Sequence, residues 1–324
     1  MDQLLFHFTG GLADRNRMDF YEAARFQYAA ARLSVKLDQF RRTGRFSKRV
    51  TASTRTNIDL FPFAPGSFQL KIESSQEERD DLTIDVPLTT LWAYIIERVF
   101  QPTETNVALD LIDDNSLRSE FFDIINDNVF RSDQAIALLR SEIEKDRGLS
   151  STESELLDRL VSEAERRAYL QSHRNLLSTI TAEQDAALVT MATPLLSEIA
   201  VPLRRSAKRV MITSVDAIGK RAILSTDRRT AEALEALRVD KHVTSLDVDI
   251  VQYNKENGWG KFRNPNWEGI PSFSVPADRK DDLRFDLLSA MQEDQVSADA
   301  YIVRSISGEP LRMILVDVNL ISEN

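Results

Sequence analysis

The sequence predicts an α+β protein: a small N-terminal α/β unit, a helical middle, and a small C-terminal β-barrel of OB or SH3-like kind. Three observations predict it. Strand-like alternation near the start encloses a long helix-forming stretch, residues 104 to 200 carry helical spacing almost throughout, and five strand-like runs after Lys241 surround a single helical segment. The 324 residues, 42% of them hydrophobic, suffice for more than one core. The expected boundaries are 1–102 for the α/β unit, 103–202 for the helical domain, 203–240 for a connecting strand-helix segment and 241–324 for the barrel.

Taken in order, LLFHFT alternates Leu5 and His7 against Phe6 and Phe8, and the Gly10-Gly11 pair closes it as a turn. A long helix follows in MDFYEAARFQYAAARLSVKLDQFRRTG, which stops at Gly44 after basic residues suited to the carboxyl end of a helix. Its apolar residues form two stripes: Phe26, Ala30, Leu33, Leu37 and Phe40; and Phe20, Ala24, Tyr28, Ala31 and Val35. The expectation is a core helix covered on both sides, with Arg25, Arg32 and Lys36 as the remaining polar ridge. RVTASTRTNIDLFPF and SFQLKIES read as strands joined through Pro65-Gly66, and TLWAYIIERVF as the next helix. STESELLDRLV opens a further helix behind a serine cap, and Pro202 breaks the last one before a strand. After Lys241 the strand runs are VTSLDVDIVQYN, WGKFRN, IPSFSVP, SADAYIVRS and LRMILVDVNLI, with the helix DDLRFDLLSAMQED before the fourth.

Composition narrows the chemistry. No cysteine is present, which excludes thiolate catalysis and thiolate metal sites and fits a reducing compartment. MDQLLFHFTGG carries no basic leader, and no window approaches the roughly 18 uncharged residues of a spanning helix. Cytoplasmic localisation and no membrane partner are expected. The net charge of −10 hides blocks of opposite sign. Arg41, Arg42, Arg45, Lys48, Arg49 and Arg55 form an acid-free basic run, whereas Glu104 to Asp146 is strongly acidic. The acidic stretch also carries Leu109, Leu111, Ile112, Phe121 and Phe122, apolar surface that predicts self-association or a protein partner. His7, His173 and His242 are scattered without ligand spacing, so no metal site is expected. Walker, GxSxG and GxGxxG motifs are absent, and no cofactor is implied.

Two patterns bear on nucleic acid. YNKENGWGKF, Tyr253 to Phe262, sets two glycines around Trp259 and resembles the first RNA-binding motif of cold-shock domains, which offers aromatic rings to unpaired bases. The resemblance implies Tyr253 or Trp259 as a stacking ring, beside Lys261. Lys261 stands where the motif has its second ring, and residues from Lys241 onward hold nine Lys and Arg against fourteen Asp and Glu. The alternative is a hairpin turning at Asn257-Gly258, with Trp259 or Phe262 buried. Any nucleic-acid contact would then draw its charge from a basic strip of Arg25, Arg32, Lys36, Arg41, Arg42, Arg45, Lys48 and Arg49. The second pattern, Glu22 on a helix, Asp59 on one strand, then Gln69 and Lys71 on the next, resembles a PD-(D/E)xK nuclease in its Gln-x-Lys variant. Carboxylates at such positions would hold Mg²⁺ while the lysine stabilises a pentavalent phosphate.

The block FHFTGGLADRNRMDFYEAARFQYAAARL, with the later PGSF, resembles the N-terminal α/β domain of an uncharacterised bacterial family whose members end in a small β-barrel. Some lie near phage-defence loci. The resemblance implies an accessory subunit of a bacterial assembly and brings no catalytic residues. The expected function is therefore non-enzymatic binding or scaffolding, with the Mg²⁺ nuclease as the alternative.

Overall fold

In the computed structural model the described residues are 2–47, 50, 58–61, 68–74, 83–100, 151–216, 219–229, 232, 237–305 and 307–320. They form an α+β head and a closed five-stranded barrel. The head begins with β1 (Asp2–Thr9), whose Leu4, Phe6 and Phe8 are buried while Leu5 and His7 take the opposite face. Helix α1 (Phe20–Thr43) starts where Asp19 Oδ1 accepts the amides of Tyr21 and Glu22 at 3.0 and 3.1 Å. It ends at Gly44, whose φ of 66° is the left-handed stop that a Cβ would disfavour. Phe26 lies 5.3 Å from Phe6 and 4.9 Å from Phe8 in edge-to-face contact, so α1 packs on the buried face of β1.

β2 (Ile58–Phe61) and β3 (Phe68–Ser74) pair antiparallel, and β3 pairs with β1. Helix α2 (Leu88–Val99) is buried along its whole length and sets Trp92 5.7 Å from Phe6. Helices α3 (Ser151–Ser172) and α4 (Ala182–Ile199) follow. The helical stretch expected across 101–150 lies outside the described residues, as do the Pro65-Gly66 turn, Lys48, Arg49 and Arg55.

The stretch drawn from sequence as a connecting segment supplies β4 (Arg209–Val215) and β5 (Lys220–Asp227), both of which extend the N-terminal sheet. β4 pairs antiparallel with β1, placing Thr9 beside Arg209, and the sheet order becomes β2-β3-β1-β4-β5. β5 is an edge strand, and α3 closes that edge with side chains. Ser162 Oγ takes the Ser225 amide at 3.1 Å, Glu165 the Ala222 amide at 2.5 Å, and Arg166 donates to the Ile223 carbonyl at 2.7 Å. Arg166 is buried and also donates to Glu97 on α2 at 2.6 Å.

A two-residue strand, β6 (Arg238–Val239), leads into the barrel: β7 (Thr244–Asn254), β8 (Trp259–Arg263), β9 (Ser272–Ser274), helix α5 (Leu283–Ala290), β10 (Val296–Arg304) and β11 (Pro310–Leu320). The ring runs β7-β8-β9-β11-β10 and closes on β7; β9 and β11 are its parallel pair. That order, with a helix between the third and fourth strands, is OB rather than SH3-like connectivity. Val248, Ile250, Phe262, Phe273, Met313 and Leu315 fill its interior. Val303 and Ile314 point outward and join the head's core instead, so one barrel wall packs on the head. Among the described residues no helix is long and apolar enough to cross a membrane.

Candidate functional site

The stretch YNKENGWGKF is a hairpin whose aromatic residues are covered. Gly258 sits at φ 74° and donates its amide to Asn254 O at 2.9 Å, while Asn257 Oδ1 accepts the Trp259 amide at 2.9 Å. Trp259 is 5% exposed. Its position pairs with Ser274, on the barrel wall that faces the head, and the Arg312 guanidinium lies 5.1 Å from its ring centre. Tyr253 is half-buried and stacks on Phe273 at 6.2 Å and 11°, and burial raises its pKa. Gly260 is required here, because a Cβ would collide with the Phe273 ring and the Gln252 carbonyl. Of the two readings of this stretch, the buried hairpin describes Trp259, and Tyr253 is partly covered by its stack on Phe273. Lys261 is half-buried between Gln252 and Ser272 in the ladder.

The basic strip of α1 is largely committed within the chain. Arg25 binds both oxygens of Glu198 on α4, which raises its pKa. Lys36 is buried, donates to the Ser47 carbonyl at 2.5 Å, and has its pKa lowered by that burial and by Arg32. Arg41 and Arg42 share Asp38 at 2.7 and 2.6 Å. Arg32 and Arg45 reach solvent.

Of the residues of the nuclease alternative, the structure describes the side chains of Glu22 and Lys71. Glu22 is buried and accepts from Ser206 Oγ at 2.5 Å, which in turn accepts the Asp19 amide at 2.9 Å, on the side carrying α1. Gln69 pairs with His7 and Lys71 with Leu5, positions of the opposite parity to buried Phe6 and Phe8, and Asp59 pairs with Glu73. The side chains of Asp59 and Gln69 lie outside the described residues. Glu22 has a local structural task, tying the start of α1 to the segment before β4.

The sequence reading missed the outer ridge of α1. The stripe of Phe26 and Leu33 is buried as expected, but the second stripe is not covered: Phe20 is 89% exposed and Tyr21 and Tyr28 are each 66% exposed. Arg25 lies 5.5 Å over the Tyr21 ring and Arg32 5.3 Å over Tyr28. Tyr21, Arg25, Tyr28 and Arg32 fall at i, i+4, i+7 and i+11, one line along the helix, with Ala24 and Ala31 exposed beside it. The rings repeat at about 10 Å along the axis. Periodicity had shown that this face is apolar; it carries no signal of what lies against it.

No family model, curated protein or solved structure matches this chain.

Proposed function

We propose that this chain is a non-enzymatic binding subunit that docks a partner protein on the α1 ridge of Phe20, Tyr21 and Tyr28. The observation that carries the reading is the exposure of three aromatic rings on one face of α1, two of them, Tyr21 and Tyr28, in line and stacked under guanidinium groups. Monomeric surfaces rarely hold such contiguous apolar area, and Tyr and Arg are the residue types that dominate interface hot spots. The stacking orders both rings before docking, which lowers the entropy cost of binding. Ala24 and Ala31 leave room between the rings for a partner backbone, and Arg17 and Arg32 favour apolar surface fringed with carboxylates. Commitment of Arg25, Lys36, Arg41 and Arg42 to internal partners supports a protein over a nucleic acid as occupant. The sequence resemblance extends the reading to a bacterial assembly, including one that acts against phage.

A photo-crosslinking side chain at position 28 in the intact chain tests this in cells. The expected result is a discrete protein adduct that survives nuclease treatment and disappears when Phe20→Ser and Tyr21→Ser are added. An adduct removed by nuclease, or none beyond that of a control at exposed Lys241, overturns the reading.

A further inference from the structure

Interior donors without partners gather at the head–barrel junction. Arg312 Nε and Nη1, Trp259 Nε1 and Ser274 Oγ are all buried and make no hydrogen bond. Register brings them onto one patch: Trp259 pairs with Ser274, Ser274 with Ile314, and Ser272 with Arg312, all on the outward face of the barrel. Arg312 is only 4% exposed and is anchored through Nη2 alone, which donates to the Arg98 and Val99 carbonyls at 3.4 and 3.2 Å.

Among the described residues no carboxylate is bonded to Arg312, and Asp185 acts on it only from a distance. The neighbouring Asp185 is taken up by Arg98, through two bonds of 2.8 Å, and by the Tyr94 hydroxyl at 2.6 Å. Lys280 adds a further cation across the Gly258 turn, where it donates to the Glu256 carbonyl. Asp278 Oδ1 is a buried oxygen without a hydrogen bond; its Oδ2 accepts the Ala182 amide, and burial raises its pKa. An interior guanidinium without a counter-ion is costly, and such groups call for an explanation beyond packing.

Indole and guanidinium N–H groups can only donate, so the group that completes this patch is an acceptor with negative charge. The donors belong to three side chains on three strands, and a tetrahedral phosphate meets several directions where a planar carboxylate meets one edge. We propose that the junction binds a small phosphate-bearing ligand, with Arg312 and Trp259 as its principal donors. Arg312 and the Val275 carbonyl are bonded to the end of α2, so entry requires that end to part from the barrel wall. This site is separate from the α1 ridge and stands or falls independently of it.

Thermal melting of the full chain in about 10 mM inorganic phosphate, pyrophosphate or AMP, against chloride at equal ionic strength, tests the proposal. One of the three should raise the midpoint by roughly 3 °C or more, and the probe that does so separates free phosphate from a nucleotide. Arg312→Met, which keeps the stem and removes the charge, should melt at or above wild type and lose the response. If that variant does not fold, Trp259→Phe, which keeps a ring and removes Nε1, should need about tenfold more ligand for the same shift. No rise over chloride in wild type, or an undiminished rise in the variant that folds, overturns the proposal.

Discussion

Asp185 shows how much one side chain can be asked to hold. It is fully buried, accepts from Arg98 and Tyr94, and Arg98 in turn reaches the Val275 carbonyl at 3.1 Å, so a single carboxylate fixes α2, α4 and the barrel. Removing it strands a buried guanidinium. Asp185→Ala should cost about 3–5 kcal/mol in chemical denaturation, and Asp185→Asn less, because one acceptor oxygen survives. Lys280 makes a pH prediction. Burial, with Arg174 next, lowers its pKa to about 8 from an ordinary 10.5. Between those two values the unfolded chain binds the proton that the folded chain has released, so this group's contribution to stability rises with pH across that window. Wild type should therefore gain in melting temperature relative to Lys280→Met as pH goes from about 7.5 to 9.5. A constant difference would show that Lys280 keeps its proton in the fold. Trp259→Ala should cost about 3–5 kcal/mol, since the ring is buried and the hairpin cannot close over the space.

At the scale of elements, α3 serves as the protection of a sheet edge as well as a packed helix. Arg166 is the centre of that contact, joining Glu97 and the Ile223 carbonyl, so Arg166→Ala exposes an unpaired backbone edge and leaves Glu97 with Arg167 alone. The expected loss is about 3–5 kcal/mol, with hydrogen exchange accelerated first at Ala222 and Ser225; uniform acceleration across the head sheet would deny the edge role. Elements with local signals are legible in the sequence. α1 is readable from Asp19 to Gly44, because its cap, periodicity and stop lie within the helix itself, and the five barrel strands are readable because each alternates and ends at a turn residue. The single helix among them leaves OB and SH3-like barrels open, and the pairing of β9 with β11 decides for the first. What is not legible depends on distant partners. Thr9 pairs with Arg209, and nothing near either residue announces the other, so β4 and β5 read as a connector. Arg312 sits in the apolar run LRMILVDV, where outward parity is visible but the burial of that outward face is not. The α1 ridge is the converse case: its apolar spacing is plain in the sequence, and the exposure of Phe20, Tyr21 and Tyr28 is not.

For the whole molecule, the question is whether head and barrel fold as one unit. The barrel has its own interior, in which Phe262, Phe273, Met313 and Leu315 meet Leu283 and Leu287 of α5. Yet Val303 and Ile314, on its outer wall, belong to the head's core, and Arg98 and Arg312 cross the same boundary. An apolar wall of this kind is stable in water only while covered, because each buried Val or Ile side chain contributes roughly 1.5–3 kcal/mol. The junction should therefore couple the two cores, and calorimetry of wild type should show one cooperative transition. Ile314→Asp tests the coupling without touching the barrel interior, since residue 314 points outward. It replaces apolar contact with a buried charge and should weaken the junction by roughly 3–5 kcal/mol. The expected outcome is two transitions, with the β7–β8 amides still protected after the head has begun to melt. Two transitions already present in wild type, or a single unshifted transition in Ile314→Asp, would mean that the barrel wall contributes little to holding the molecule together.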